Sequence, residues 1–184
     1  MKTLRSLPSE VVASILAATT AFIGGTALHL PPWAIFIGWA GTYLAGGAKP
    51  DVLRSMWTAM PAGSTFALVI VLLDNEFGTV LGDSQLAMNV VLALIILVVN
   101  TALMYAGRTK ALHLVPAMFL GFASYFATYF GNFGWAPGNV WAAWVAVIAM
   151  NALGPVYAVL ATWISGPHEE ATAEQTQAQE QVTA

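Results

Sequence analysis

The chain has 184 residues, of which 58% are hydrophobic and only 8% charged, and its formal net charge is −3. A soluble domain has roughly 25% charged residues, so this chain has too few to cover a surface that faces water. Cysteine is absent, which excludes disulfides, thiolate metal sites and cysteine nucleophiles. The chain also lacks a basic patch that would bind nucleic acid. The composition therefore predicts a protein whose main partner is the lipid bilayer.

Six apolar segments follow one another along the chain, separated by turns that contain proline, glycine or charged residues. About 20 apolar residues in a helix cross the roughly 30 Å hydrocarbon core of a bilayer. We therefore predict an all-α polytopic membrane protein with six transmembrane helices. The predicted helices cover residues 11–28, 33–47, 53–73, 86–106, 112–130 and 139–164.

The predicted membrane domain, residues 11–164, lies between two short ends. Residues 1–10 form the N-terminal end, where Ser9 is expected to cap the first helix. Gly46 and Gly47 are expected to end the second helix. The C-terminal residues 165–184 are rich in Glu, Gln, Thr and Ala, and because they cannot bury apolar area we predict a disordered tail.

The basic residues predict how the helices are oriented. Cytoplasmic loops of membrane proteins carry an excess of Lys and Arg. With six crossings, every Lys and Arg of this chain falls on the same side as the N-terminus, whereas the acidic loop after the third helix falls on the other side. We therefore expect a multi-pass protein of the cytoplasmic membrane with both termini in the cytoplasm. The basic residues are Lys2, Arg5, Lys49, Arg54, Arg108 and Lys110.

The second and fifth segments share a pattern. Phe36 and Gly38 recur 83 positions later as Phe119 and Gly121, and residues 59–62 of the third helix align with residues 149–152 of the sixth. Two halves with three helices each must insert in opposite directions, because the number of crossings per half is odd. The pattern thus predicts inverted repeats over about residues 11–73 and 86–164, a plan used by many transporters.

Pro61 and Pro155 lie within the third helices of the two predicted halves. A proline removes one backbone N–H and frees a carbonyl, so we expect each helix to be bent or locally unwound. In lipid, freed backbone groups are tolerated where protein buries them or where they line a wet cavity. Interrupted helices at matching positions favour a transporter binding site. The alternative is that both prolines merely shape the bundle.

The candidate substrate-binding or pore-lining residues lie on these helices and on the fourth. Their hydroxyls, amides and backbone carbonyls can replace the water shell of a small neutral solute. Alternatively, such groups pair across helices, and glycines only allow helices to pack closely. The candidates are Pro61, Gly63, Ser64, Thr65, Asn100, Asn151, Gly154, Pro155 and Tyr157.

His29 and His113 occupy similar Leu-His-Leu turns before the second and fifth helices. Because histidine titrates near neutral pH, the pair is a candidate gate or pH sensor. The alternative is that each histidine lies at the membrane interface and bonds a helix end. With so few histidines and no cysteine, we expect no metal site.

The absence of charged residues from the middle of each predicted helix bears on function. The middle of each predicted helix lacks Asp, Glu, Lys and Arg, whereas proton-coupled pumps and carriers of charged substrates usually keep such a group there. No pairing of residues typical of catalysis appears, so we expect neither an enzyme nor a cofactor. We predict a channel or facilitative transporter for a small neutral or weakly charged solute, and its assembly as a homo-oligomer stays open. The alternative is an accessory or scaffold subunit of a larger membrane complex, without transport activity.

The motifs Trp33-Ala34-x-Phe36-x-Gly38 and Val115-Pro116-x-x-Phe119-x-Gly121 resemble those of a known family. This chain is similar to the YcdZ-like inner-membrane proteins of bacteria, a family of unknown function. The resemblance covers about residues 10–165 and leaves out the tail. It implies a polytopic protein of the bacterial inner membrane, and it implies no substrate and no catalytic residue.

Overall fold

The computed structural model describes residues 8–165, which form six α-helices. Three helices are long and apolar enough to cross a membrane, namely α3, α4 and α6, whereas α1, α2 and α5 are shorter apolar helices. The predicted cytoplasmic N-terminus before residue 8 and the predicted tail from residue 166 lie outside the described residues. The helices are α1 (Ser9–Gly24), α2 (Trp33–Leu44), α3 (Pro50–Phe77), α4 (Gln85–Ala106), α5 (Val115–Phe130) and α6 (Val140–Ser165).

The ends of α1 and α2 differ from the prediction. Ser9 is the first helical residue and makes no capping bond, so the expected Ser9 cap is wrong; the carbonyl of Pro8 accepts the first backbone bonds instead. Helix α2 ends at Leu44, three residues earlier than predicted. Gly46 and Gly47 have φ angles of +116° and +89°, and the Gly47 N–H donates back into the last turn of α2. Glycine adopts such angles without steric cost, which explains why the helix stops here.

Helices α3 and α6 are unbroken although each contains a proline. Local unwinding at Pro61 and Pro155, one of the two expected outcomes, is therefore absent, and a bend at each proline stays a prediction. A proline removes a single backbone donor, so the other hydrogen bonds of the helix can stay intact. The carbonyl of Asn151, which Pro155 leaves without its helical donor, faces the backbone of Gly38 so closely that a Cβ on Gly38 would lie 2.5 Å from the oxygen.

Two indole groups show that α3 and α6 run antiparallel. Near the start of α3, Trp57 donates from Nε1 to the carbonyl of Ala152 at 3.0 Å. Two turns further along α3, Thr65 accepts from Nε1 of Trp144 at 3.2 Å, and Trp144 lies two turns earlier in α6. A later residue of α3 thus contacts an earlier residue of α6, as expected for two antiparallel helices.

Two other pairs of helices begin at a common end. The Gly134 N–H, before α6, donates to the carbonyl of His29, before α2, at 2.8 Å. Thr58, near the start of α3, donates to the carbonyl of Ala111, just before α5, at 2.9 Å. Helices α2 and α6 therefore start on one side of the bundle, and α3 and α5 start together as well.

The core consists of two apolar clusters, each built around one pair of these helices. In the first cluster, Ile35 and Trp39 of α2 pack with Val147 and Tyr157 of α6. The second cluster joins α3 to α5 and contains buried methionines. The middle helix of each predicted half thus packs mainly against the last helix of the other half.

Glycines allow these helix pairs to touch backbone to backbone. A Cβ on Gly38 would collide with the Asn151 carbonyl, and one on Gly121 would collide with the Met60 carbonyl. Gly63 lies in the same way against the backbone of Met118. Met60 of α3 and Asn151 of α6 make corresponding contacts, Met60 with Gly121 and Asn151 with Gly38. Their residue numbers differ by 91, which is one more than the offset in the sequence alignment of residues 59–62 with 149–152.

Helix α4 lies at the edge of the bundle. Only 17% of its apolar span is buried, against 50% for α3 and α6, and it packs chiefly on α3. Its outer face carries exposed leucines and valines, which is typical of a helix that faces lipid.

We predict that Gly121→Ala destabilises the protein by roughly 1–3 kcal/mol, because the added methyl group meets the Met60 carbonyl, which cannot rotate away. The measurement is the thermal unfolding midpoint of the purified protein in detergent. Ala123→Ser is the matched control, since it adds one heavy atom on the exposed side of the same helix. Equal midpoints for the two variants would show that the close approach of α3 and α5 is wrong.

Candidate functional site

A cavity of about 280 Å³ lies between α3 and α6. Such a volume is at the small end for a ligand site, so the cavity suits a molecule of a few heavy atoms. Two of the predicted site residues, Pro61 and Asn151, are part of its wall. The lining residues are Met56, Trp57, Met60, Pro61, Ile148, Asn151 and Ala152.

Asn151 is the polar feature of this wall. The residue is 2% exposed, and neither its side-chain nitrogen nor its side-chain oxygen has a hydrogen-bond partner among the described residues. Leaving a buried polar group unpaired costs about 1–3 kcal/mol, so most buried amides in folded proteins are bonded. An orphaned carboxamide beside an empty space is the arrangement expected of a group that bonds a guest.

The other side chains that line the cavity are apolar, and they differ in how deeply they are buried. Met56 and Met60 are buried and form the floor with Asn151, whereas Trp57 is 45% exposed and marks the mouth. The bond from Trp57 to the carbonyl of Ala152 holds the indole across α6. Met side chains are unbranched and adapt their shape, so the floor can change shape around a guest.

The cavity is short compared with a membrane. Its wall covers residues 56–61 of α3 and 148–152 of α6, or about 8 Å along a helix axis at 1.5 Å per residue. The hydrocarbon core is roughly 30 Å thick. The space, which we call the chamber, is thus a partly open recess between α3 and α6 and not a continuous pore.

The remaining candidates of α3 lie outside the cavity. Gly63 forms the backbone contact with α5, and Ser64 is buried and donates to the carbonyl of Gly121 at 2.9 Å. Thr65 donates to the carbonyl of Pro61 and accepts from Trp144. These hydroxyls bond the bundle itself, which is the alternative that the sequence left open.

The remaining candidates of α6 and α4 are also outside the cavity. Gly154 and Pro155 are buried, and Gly154 packs against the backbone of Gly38. Tyr157 bonds Thr19 of α1 at 2.7 Å. Asn100 of α4 is half-buried, and its side-chain oxygen has no partner among residues 8–165.

The two histidines are exposed and neither lines the cavity. His29 has a φ of +48°, and its carbonyl accepts from Gly134, which ties two loops together. The Nδ1 atom of His113 lies 2.9 Å from the carbonyl of Lys110, at the turn before α5. The ring of His113 thus bonds near a helix end, whereas the bond at His29 is made by its backbone carbonyl, and a gate or pH-sensing role for the pair stays a prediction.

Sequence reasoning missed most of the cavity wall, namely Met56, Trp57, Met60, Ile148 and Ala152. Apolar residues at helical spacing carry no signal that separates a cavity wall from a packed core. One signal was available: three pairs of the wall, Trp57 with Ile148, Met60 with Asn151 and Pro61 with Ala152, are each 91 positions apart. An alignment of the third and sixth helices with an offset of 91 would have placed these residues at matching positions.

Among residues 8–165, no group of three or more His, Asp or Glu side chains could hold a metal ion. The cavity wall itself contains no titratable side chain. Its chemistry is that of one carboxamide among apolar groups.

A family model for proteins of unknown function, DUF1097, matches residues 10–166, and the chain belongs to this family. The match covers almost the same residues as the resemblance drawn from the two glycine motifs, and it likewise implies no activity. No curated protein and no solved structure matched the chain.

We predict that the bond between Thr19 and Tyr157 couples α1 to α6 by about 0.6 kcal/mol, a typical value for a hydrogen bond between membrane helices. The measurement is a double-mutant cycle of Thr19→Val and Tyr157→Phe on unfolding in detergent. A coupling energy indistinguishable from zero would contradict the bond.

Proposed function

We propose that this DUF1097 protein is a facilitative transporter or channel for a small neutral or weakly charged solute. The observation that supports the proposal is the unpaired carboxamide of Asn151 in the wall of a chamber between α3 and α6. A protein that only fills space gains nothing from this buried amide, whereas a solute that bonds it offsets the cost. Because the chamber is short, passage requires the bundle to open it toward each side in turn.

An inverted repeat is part of this proposal. Under an exchange of the halves, the contact of Gly38 with Asn151 corresponds to that of Gly121 with Met60. The antiparallel α3 and α6 then lie on either side of the axis, and the cavity wall contains residues from equivalent positions of both. Transporters built on this plan bind substrate at the interface of their repeats.

The proposed location is the bacterial inner membrane, as in YcdZ-like proteins, with six crossings and both termini in the cytoplasm. The shortest helix, α2, has 12 residues and is about 18 Å long, so its crossing depends on the flanking turns. The pairing of helix starts supports this plan, since helices that cross in the same direction begin on the same side.

A scaffold subunit without transport activity is the second candidate. It is favoured by buried hydroxyls that bond within the bundle: Thr42 donates to the carbonyl of Gly38 at 2.8 Å, and Thr128 donates to that of Ser124 at 2.7 Å, whereas the Ser124 hydroxyl has no partner among the described residues. Hydroxyls in a pore would face the solute instead. Asn151 favours transport because it is the unpaired buried group in the chamber wall, whereas the other unpaired groups among the described residues, Trp39 Nε1, Asn100 Oδ1 and Ser124 Oγ, lie outside that wall.

We predict that proteoliposomes containing the protein take up at least one small neutral solute faster than empty liposomes. Asn151→Leu should lower this rate about tenfold, since the carboxamide bonds worth roughly 1–3 kcal/mol are lost while the volume is nearly kept. The measurement is stopped-flow light scattering after an osmotic step, with a panel of amides, alcohols and polyols.

Asn89→Leu is the control variant, because Asn89 is exposed on α4 and lies outside the cavity. It should transport at the wild-type rate. Rates equal to those of empty liposomes for the whole panel would contradict the transport proposal and favour the scaffold.

A further inference from the structure

We infer that the chamber binds a small primary amide or a urea-like molecule, a solute that presents an N–H donor and a carbonyl acceptor side by side. This inference rests on the proposed function and names the class of solute for that same chamber. It is drawn from what the cavity wall offers and from what it lacks.

The bonding pattern of the Asn151 side chain leads to this class. A carboxamide has one carbonyl acceptor and an NH₂ group with two donors, and in this chain both sides are unpaired. A primary amide presents the complementary pair and can form two parallel hydrogen bonds with it, N–H to O and O to H–N. An alcohol must use a single oxygen for both roles, so its two hydrogen bonds to the carboxamide are more strongly bent and weaker than those of an amide.

The rest of the wall excludes other classes. No charged side chain lines the cavity, so an ion would lose its hydration without gaining a partner. The wall offers no further unpaired side-chain donor or acceptor among the described residues, so a polyol would leave several hydroxyls without partners. The methionines, Pro61 and Ile148 suit a methyl group or a second small substituent of the guest.

Access to the carboxamide involves the floor of the chamber. Asn151 is nearly fully buried, so a guest reaches its polar atoms only when a neighbouring side chain moves aside. Met56 and Met60 are the adaptable neighbours, because their thioether chains change conformation at low cost. Binding of the amide is therefore expected to be weak, since the free energy needed to rearrange these side chains offsets part of the hydrogen-bond energy.

The test is ¹⁹F NMR of trifluoroacetamide with the purified full chain in detergent. Partition of the probe into micelles is linear in its concentration, so the saturable part of the line broadening reports a site. We expect saturable binding that excess acetamide or urea displaces and that N,N-dimethylacetamide displaces at least about tenfold less well, because it lacks donors. This comparison uses the wild-type protein, so it does not depend on how a variant folds.

Asn151→Leu should weaken the saturable binding about tenfold or more, and Asn89→Leu should leave it unchanged. Absence of saturable binding, or equal displacement by acetamide and its dimethyl analogue, would overturn the inference. Saturable amide binding without flux would refute the transport proposal and keep the site. Flux of other solutes without amide binding would refute only the amide class.

Discussion

The close backbone contact between the two halves of the chain is the constraint on which the rest of the structure depends. Lipid provides no hydrophobic force between helices, so helices in a membrane associate through packing and hydrogen bonds. Gly38 and Gly121 let α2 and α5 approach the last helix of the opposite half until backbones touch. These contacts bring α3 and α6 side by side, and the chamber lies between them.

The same packing accounts for the chemistry of the candidate site. Several buried hydroxyls bond carbonyls within the bundle, as Ser64 does with Gly121, although Trp39 Nε1, Asn100 Oδ1 and Ser124 Oγ have no partner among the described residues. Asn151 differs from the bonded hydroxyls. The residue that makes the corresponding contact in α3 is Met60, which is apolar and offers no hydrogen-bonding group to the carboxamide. Asn151 is thus the single carboxamide in a wall of thioether, indole and hydrocarbon side chains. We regard this asymmetry as the basis of solute recognition in the proposed transporter.

The sequence predicted the fold better than the site. Long apolar runs specified α3, α4 and α6 to within a few residues, since little else can satisfy a backbone in lipid. The sequence analysis predicted the wrong cap at Ser9 and the wrong end of α2, because hydrogen bonds at the helix ends determine these boundaries. The close packing that glycines allow, which the sequence left as an alternative to a solute site, is observed at Gly38, Gly63 and Gly121. The cavity was not foreseen, because the predicted alignment of the third and sixth helices used an offset of 90, whereas the wall residues of α3 and α6 pair at an offset of 91.

The most direct test of the account is the position of four loop residues relative to the membrane. The chain contains no cysteine, so single-cysteine variants of Thr26, Ala48, Thr79 and Thr109 need no altered background. If the halves are inverted, a membrane-impermeant maleimide added to intact cells labels the variants at 26 and 79, and it labels those at 48 and 109 only after lysis. Labelling at residue 48 from outside would show that the short helix α2 does not cross, and an equal response at 79 and 109 would contradict the crossing of α4.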